Sequence, residues 1–236
     1  MRALLSGLVL LASFGSALSA QTEGDVAAYF ALVGTPPGGL PPVLSNAMLD
    51  RPMTSMDLGA RYGHISTAGT SFNNFAATLG MPAGTKAKIG VTAGVEALDC
   101  NGCKSHFIAG ANAEGRLTSV MLGAGSDAAQ LTVGLNGEFG FGKPERTTLV
   151  TLTGGLPIAL VAGGPTLKIA PFITPGIGWG RSRDNTGSSN GSRFMLGGGV
   201  ALHSTTSPVG ANFGFQRVFI NGGDTLFGIN VTFALK

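Results

Sequence analysis

The last twelve residues of the chain, Thr225 to Lys236, alternate without a break. Phe227, Ile229, Val231, Phe233 and Leu235 fall on one face of an extended chain, and Gly228, Asn230, Thr232, Ala234 and Lys236 fall on the other. A period of two with one apolar and one polar face is the signature of a β-strand. The pattern recurs. Ala87, Ile89, Val91, Ala93 and Val95 oppose Lys86, Lys88, Gly90, Thr92, Gly94 and Glu96. Leu131, Val133, Leu135, Phe139 and Phe141 oppose Gln130, Thr132, Gly134, Asn136 and Glu138. About ten such segments are read, at 55–66, 71–81, 85–98, 105–117, 129–142, 146–162, 165–181, 192–203, 208–219 and 224–236. Strands of about ten residues, tilted and closed on themselves, are the unit of a transmembrane β-barrel. The expected fold is therefore all-β, an antiparallel up-and-down transmembrane barrel of about ten strands. Eight and twelve are the neighbouring counts.

The amino terminus changes the picture by setting a compartment. Arg2, an apolar run from Leu4 to Phe14, and small residues at Ala17, Ser19 and Ala20 read as a cleaved signal peptide over 1–20. Its apolar run is too short to span a bilayer as a helix. Residues 21–54 do not alternate. Glu23 to Val33 suits one amphipathic helix, and Thr35-Pro-Pro-Gly-Gly-Leu-Pro-Pro suits a stiff linker, so 21–54 is expected to be an arm or linker. The barrel is expected over 55–236.

Composition agrees. Charged residues are 11% of the chain and mean hydropathy is +0.32, whereas an ordinary soluble domain carries about 25% charge. Glycine contributes 39 of 236 residues without a collagen period; many alternate along strands, where they leave room on a crowded inner face. Net charge is +3, with no basic run of the kind that tracks nucleic acid. With the C-terminus in the periplasm, the Asp184–Gly191 loop lies outside, where long loops belong. The 118–128 stretch is overlong for a periplasmic turn. Pro171 and Pro175 sit inside a strand and predict a bulge or a break in pairing there.

The terminal strand resembles that of the small bacterial outer-membrane barrels, the OmpA transmembrane domain and OmpW-like group. Such barrels commonly end on a glycine, a hydrophobic residue three positions on, and an aromatic two further. Gly228, Val231 and Phe233 have that spacing, although the chain continues through Lys236 and has Leu226 where a polar residue is usual. The resemblance implies residence in the bacterial outer membrane and insertion by its barrel-assembly machinery. It implies no activity.

Candidate chemistry is sparse. The register points Asp57, Arg61, Lys86, Lys88, Glu96, Glu114, Arg116, Glu138, Lys168 and Arg193 into the lumen. Mixed charge in a narrow bore should pair. That predicts a largely closed, salt-bridged interior and a structural or surface-interaction role. A narrow porin-like channel for small solutes is the alternative, and a soluble secreted ligand-binding barrel the second alternative. Cys100 and Cys103, around an Asn-Gly turn, are read as a loop disulfide. His106 and Asp99 beside them make only a partial metal set. His64, His106 and His203 show no catalytic constellation, so no enzymatic activity, cofactor or metal is expected. Tyr62, Phe72, Trp179, Phe215 and Phe219 are placed in the aromatic girdles. Arg217, near the outer end of its strand, is expected to meet lipopolysaccharide phosphates; outer-membrane lipids are the expected partners, with no nucleic acid.

Overall fold

The computed structural model describes residues 54–67, 70–99, 104–123, 128–219 and 225–235. The signal segment, nearly all of the 21–54 arm, and Cys100 and Cys103 lie outside the described residues.

Every described element is a strand. In chain order they are β1 (Met56–Thr67), β2 (Thr70–Pro82), β3 (Ala87–Asp99), β4 (His106–Leu122), β5 (Ala129–Gly142), β6 (Thr148–Gly155), β7 (Ile158–Gly163), β8 (Leu167–Arg183), β9 (Ser188–Ser204), β10 (Val209–Val218) and β11 (Thr225–Leu235). Neighbours in sequence pair antiparallel around the sheet. β1 pairs with β11, and β4 with β5, so no edge is left to start or end the ring. Both ends of the described barrel meet at one rim, where Met56 faces Leu235.

β6 and β7 share one place in the wall, between β5 and β8. Their partners on both sides run in one continuous register, so the barrel has ten positions and eleven strands. The gap is Leu156-Pro157. Prolines cause it by lacking an N–H. Pro157 accepts a bond from the Gly134 amide (2.8 Å) and Pro175 accepts one from the Leu156 amide (2.9 Å), but neither donates in return. β8 meanwhile pairs with β9 through every residue from Leu167 to Arg183. The prolines therefore remove rungs toward β6 and β7 without adding a residue. No bulge forms there. The bulge of this barrel lies in β4, between Arg116 and Thr118.

That bulge resolves the overlong turn. β4 continues to Leu122, which pairs with Ala129 of β5, so the first part of this stretch is strand. Gly84, Gly123 and Gly163 take positive φ at the three turns of this rim that they occupy, where a Cβ would be strained. Gly199 is tight for another reason. A Cβ there would lie 2.0 Å from the Phe213 carbonyl oxygen.

The alternation resolves into an apolar outside and a polar inside. Leu58, Phe75, Ile89, Val91, Leu135, Phe139, Leu152, Ile173, Ile177, Phe213 and Phe233 are exposed, while Asp57, Arg61, Lys88, Thr92, Glu138, Thr151 and Asn230 are buried. A soluble barrel would have the opposite arrangement.

Candidate functional site

The interior is the place where polar chemistry concentrates. Arg61 on β1 reaches Glu138 on β5 with Nη1 2.8 Å from Oε1, and both side chains are nearly inaccessible. These strands are four positions apart in the ring, so the pair spans the lumen instead of decorating one wall. Lys88 on β3 pairs with Asp57 on β1, bridging over β2. His106 Nε2 lies 3.0 Å from Glu96 Oε1 on the adjoining strand, beside buried Asn74. The free space near the first two pairs is a cavity of about 30 Å³, bounded by Asp57, Arg61, Lys88, Asn112, Glu114 and Asn230. Space of that size holds about two or three water molecules.

Away from the rim that carries both chain ends, apolar side chains enter the inner face, and on β1 and β2 the alternation inverts. Ile65, Phe72, Val218 and Leu226 point inward and are buried. Beside them Ser66, Ser71, Arg217 and Thr225 face outward, and so do the exposed rings of Phe219 and Phe227. Ile65 is directly opposite Phe72, and Val218 opposite Met195. Leu149 and Met195 add further buried apolar side chains to the inner face, and Ile108 lies there one inward position below His106. On β1 and β2 the physical reason is a change of solvent: where hydrocarbon is outside, apolar side chains face out; where water is outside, they fill the core. This end of the barrel, the collar, thus carries apolar side chains on its inner face.

The inferred lumen set divides. Asp57, Arg61, Lys88, Glu96 and Glu138 are buried inside, and Glu114 lines the cavity. Arg116 and Arg193 stand on the inner face at partial exposure. Lys86 does not enter the lumen: it sits exposed in the turn before β3, where its carbonyl accepts from the Arg116 amide (2.8 Å). Lys168 stays at the rim, its ammonium 3.3 Å from the Gly163 carbonyl. Both lie where the strand begins, and there water competes with the bore for the charge.

The outer wall carries the girdle. Tyr62 packs on Phe75, with ring centroids 4.9 Å apart, and donates to Asn73 Oδ1 (2.9 Å). His64 Nδ1 lies 2.9 Å from the same oxygen. Phe194 and Phe219 form a second ring pair at 5.4 Å. Phe215 lies over Gly198, whose added Cβ would be 3.1 Å from the ring. Trp179, Arg217 and Phe219 face outward as expected. Phe72 does not join them, because it lies in the inverted zone and points inward. A recess of about 450 Å³ crosses the outer wall where Ala111, Ala113 and Gly137 thin it between Ile89, Val91 and Phe139. Its apolar lining suits acyl chains.

The remaining histidine is structural in setting. His203 is buried on the inner face of β9, and the neighbouring Ser204 hydroxyl accepts from the Ser207 amide (2.9 Å) to close a turn. Sequence reasoning missed the apolar inner face of the collar. Its signal was the reversed polarity at Ile65 and Phe72, beside His64, Ser66, Ser71 and Asn73.

A closed antiparallel barrel with an apolar belt and a charged, paired interior is a membrane-spanning β-barrel. No protein-family model matches the chain, and no curated protein matches it. Solved structures similar to the chain include outer-membrane barrels. The N-terminal β-barrel domain of Pseudomonas aeruginosa OprF is 9% identical, with a TM-score of 0.36 over 78% of this chain and 100% of that one. An outer membrane channel from Pseudomonas putida F1 is 10% identical, with a TM-score of 0.49 over 82% and 100%. Ail of Yersinia pestis is 11% identical, with a TM-score of 0.31 over 77% and 97%. Likeness at this level concerns barrel shape and says nothing of activity.

Proposed function

We propose that the chain is a bacterial outer-membrane barrel with a closed lumen, serving a structural or surface-interaction role and not transport. The observation that carries this reading is the Arg61–Glu138 pair across the bore, beneath a collar that carries apolar side chains on its inner face. A conducting pore needs a continuous wet path, and here an ion pair lies across it. Outer-membrane lipids and the barrel-assembly machinery are the partners this reading implies, and a cleaved signal peptide over 1–20 is its export route. Chemistry at the surface then falls to the outward residues of the collar and the loops beyond it.

The test is conductance. The full chain, refolded in detergent and inserted into planar lipid bilayers, is expected to be electrically silent while resisting extraction from the bilayer. Discrete, reproducible channels would overturn the closed lumen and favour the narrow solute channel.

A further inference from the structure

The outward row of β8 reads, from the rim with the chain ends upward, Leu167, Ile169, Pro171, Ile173, Pro175, Ile177, Trp179, Arg181 and Arg183. Leu167 and Trp179 are twelve residues apart. At about 3.3 Å per residue and a tilt of about 45°, that is a rise of about 28 Å. A barrel's apolar band is about 25 Å tall. Trp179 therefore marks the upper boundary, and Arg181 and Arg183 stand about 5 and 9 Å above it. That is the depth of lipid phosphates.

The neighbouring strands bring more cations to this place. Arg183 is paired with Thr148 on β6 and Arg181 with Val150. Phe141 of β5 flanks Val150 on its other side, which sets Lys143 beside Thr148. Arg146 stands in the turn between, closed by a bond from the Thr147 amide to the Pro144 carbonyl (2.8 Å). Lys143, Arg146, Arg181 and Arg183 are all exposed. The ion pairs Arg61–Glu138, Lys88–Asp57 and His106–Glu96 lie in the lumen and involve none of them.

Two carboxylates are near. Glu145 is exposed in the same turn. Asp184 is turned onto its own loop, accepting from the Thr186 amide (2.7 Å), the Thr186 hydroxyl (2.6 Å) and the Gly187 amide (2.9 Å). Those bonds hold its carboxyl below its ordinary pKa. Four cations against two carboxylates, one of them already hydrogen-bonded, leave a positive patch.

We propose that Lys143, Arg146, Arg181 and Arg183 form a binding site for the phosphate groups of a glycolipid in the outer leaflet. The inference rests on the outer-membrane reading above and gives it a ligand. Guanidinium groups fit phosphate oxygens in pairs. Phe141, Val150 and Trp179 directly below offer an apolar wall for the acyl chains of the same molecule. This second contact favours a lipid over a soluble anion.

The chain contains one tryptophan, and it is Trp179, so the site carries its own reporter. The full chain in nonionic detergent is titrated with bisphosphorylated lipid A, with lipid A lacking both phosphates, and with inorganic pyrophosphate, following Trp179 emission. Bisphosphorylated lipid A is expected to shift the emission saturably, with at least tenfold tighter binding than the dephosphorylated form. The variant Arg181→Gln/Arg183→Gln should weaken it at least tenfold, while Arg181→Lys/Arg183→Lys, which keeps the charge but loses the paired donors, should fall between that variant and the wild type. Equal binding of both lipid A forms, or an unaffected Gln variant, overturns the site. An equal response to pyrophosphate at the same concentration overturns the lipid assignment and makes it a soluble-anion site. Insertion into phospholipid vesicles is scored separately by protease protection. A protein that fails to insert refutes the membrane reading itself; one that inserts but ignores phosphate refutes only the site.

Discussion

Replacing Arg61 by Met tests the interior directly. Its guanidinium and the Glu138 carboxylate are 2.8 Å apart, with side-chain exposures of 2% and 3%. At an effective dielectric constant of about 20, that separation corresponds to a gross attraction of about 6 kcal/mol. Desolvation of the two charges offsets most of it, so the intact pair contributes little net stability. Removing one partner is different, because Glu138 is then left buried and uncompensated, at a cost of about 3–5 kcal/mol. Arg61→Met/Glu138→Leu removes both charges and should recover about 2 kcal/mol or more of that loss. The assay is reversible urea unfolding of the barrel in phospholipid vesicles, followed by Trp179 emission, for the wild type, both single variants and the double variant. Additive single effects, with a coupling below about 0.5 kcal/mol, would refute the claim that these residues hold each other across the bore.

Other expectations follow from the same structure. Ile108→Ala and Leu226→Ala each empty a buried site on the inner face and should destabilise the barrel by about 2–5 kcal/mol. Gly199→Ala must displace backbone, since its Cβ would be 2.0 Å from the Phe213 oxygen and 2.7 Å from the Gly214 Cα, whereas at Gly115 the nearest atom is at 3.4 Å. Gly199→Ala should therefore lose the compact, heat-modifiable band on a gel and Gly115→Ala should keep it. The Asp184 turn has a definite pH sign. Its carboxyl is depressed by bonds from Thr186 and Gly187, so the turn's contribution is full above the unfolded carboxylate pKa of about 3.9 and is lost as pH falls through the lower folded value. Amide exchange at Thr186 and Gly187, read by NMR, should accelerate there, and Asp184→Ala should show the fast rate at every pH.

Much of the architecture was legible in the chain because a membrane barrel writes its solvent into its sequence. The strict alternation at Phe227 to Leu235 fixes strand, face and position together, since one slip would put every apolar side chain into the bore. Ten segments yielded ten wall positions for the same reason. The prolines at 171 and 175 announced lost rungs but not their form. Whether a missing N–H bends a strand depends on which neighbour it faced, and both prolines face β6 and β7, which absorb the loss through Leu156-Pro157.

Three things were decided only by tertiary structure. Arg61 and Glu138 are 77 residues apart, and nothing local relates them; closure of the ring at β4 and β5 brings their strands face to face. The inversion at Ile65 and Phe72 is written in the sequence, yet its meaning depends on where the bilayer stops, a height set by tilt and stagger of the whole barrel. The cationic cluster joins Lys143 and Arg146 to Arg181 and Arg183 through register across β5, β6 and β8. A sequence states which face a side chain occupies, because alternation is local. It does not state who stands opposite, because that depends on how the sheet closes.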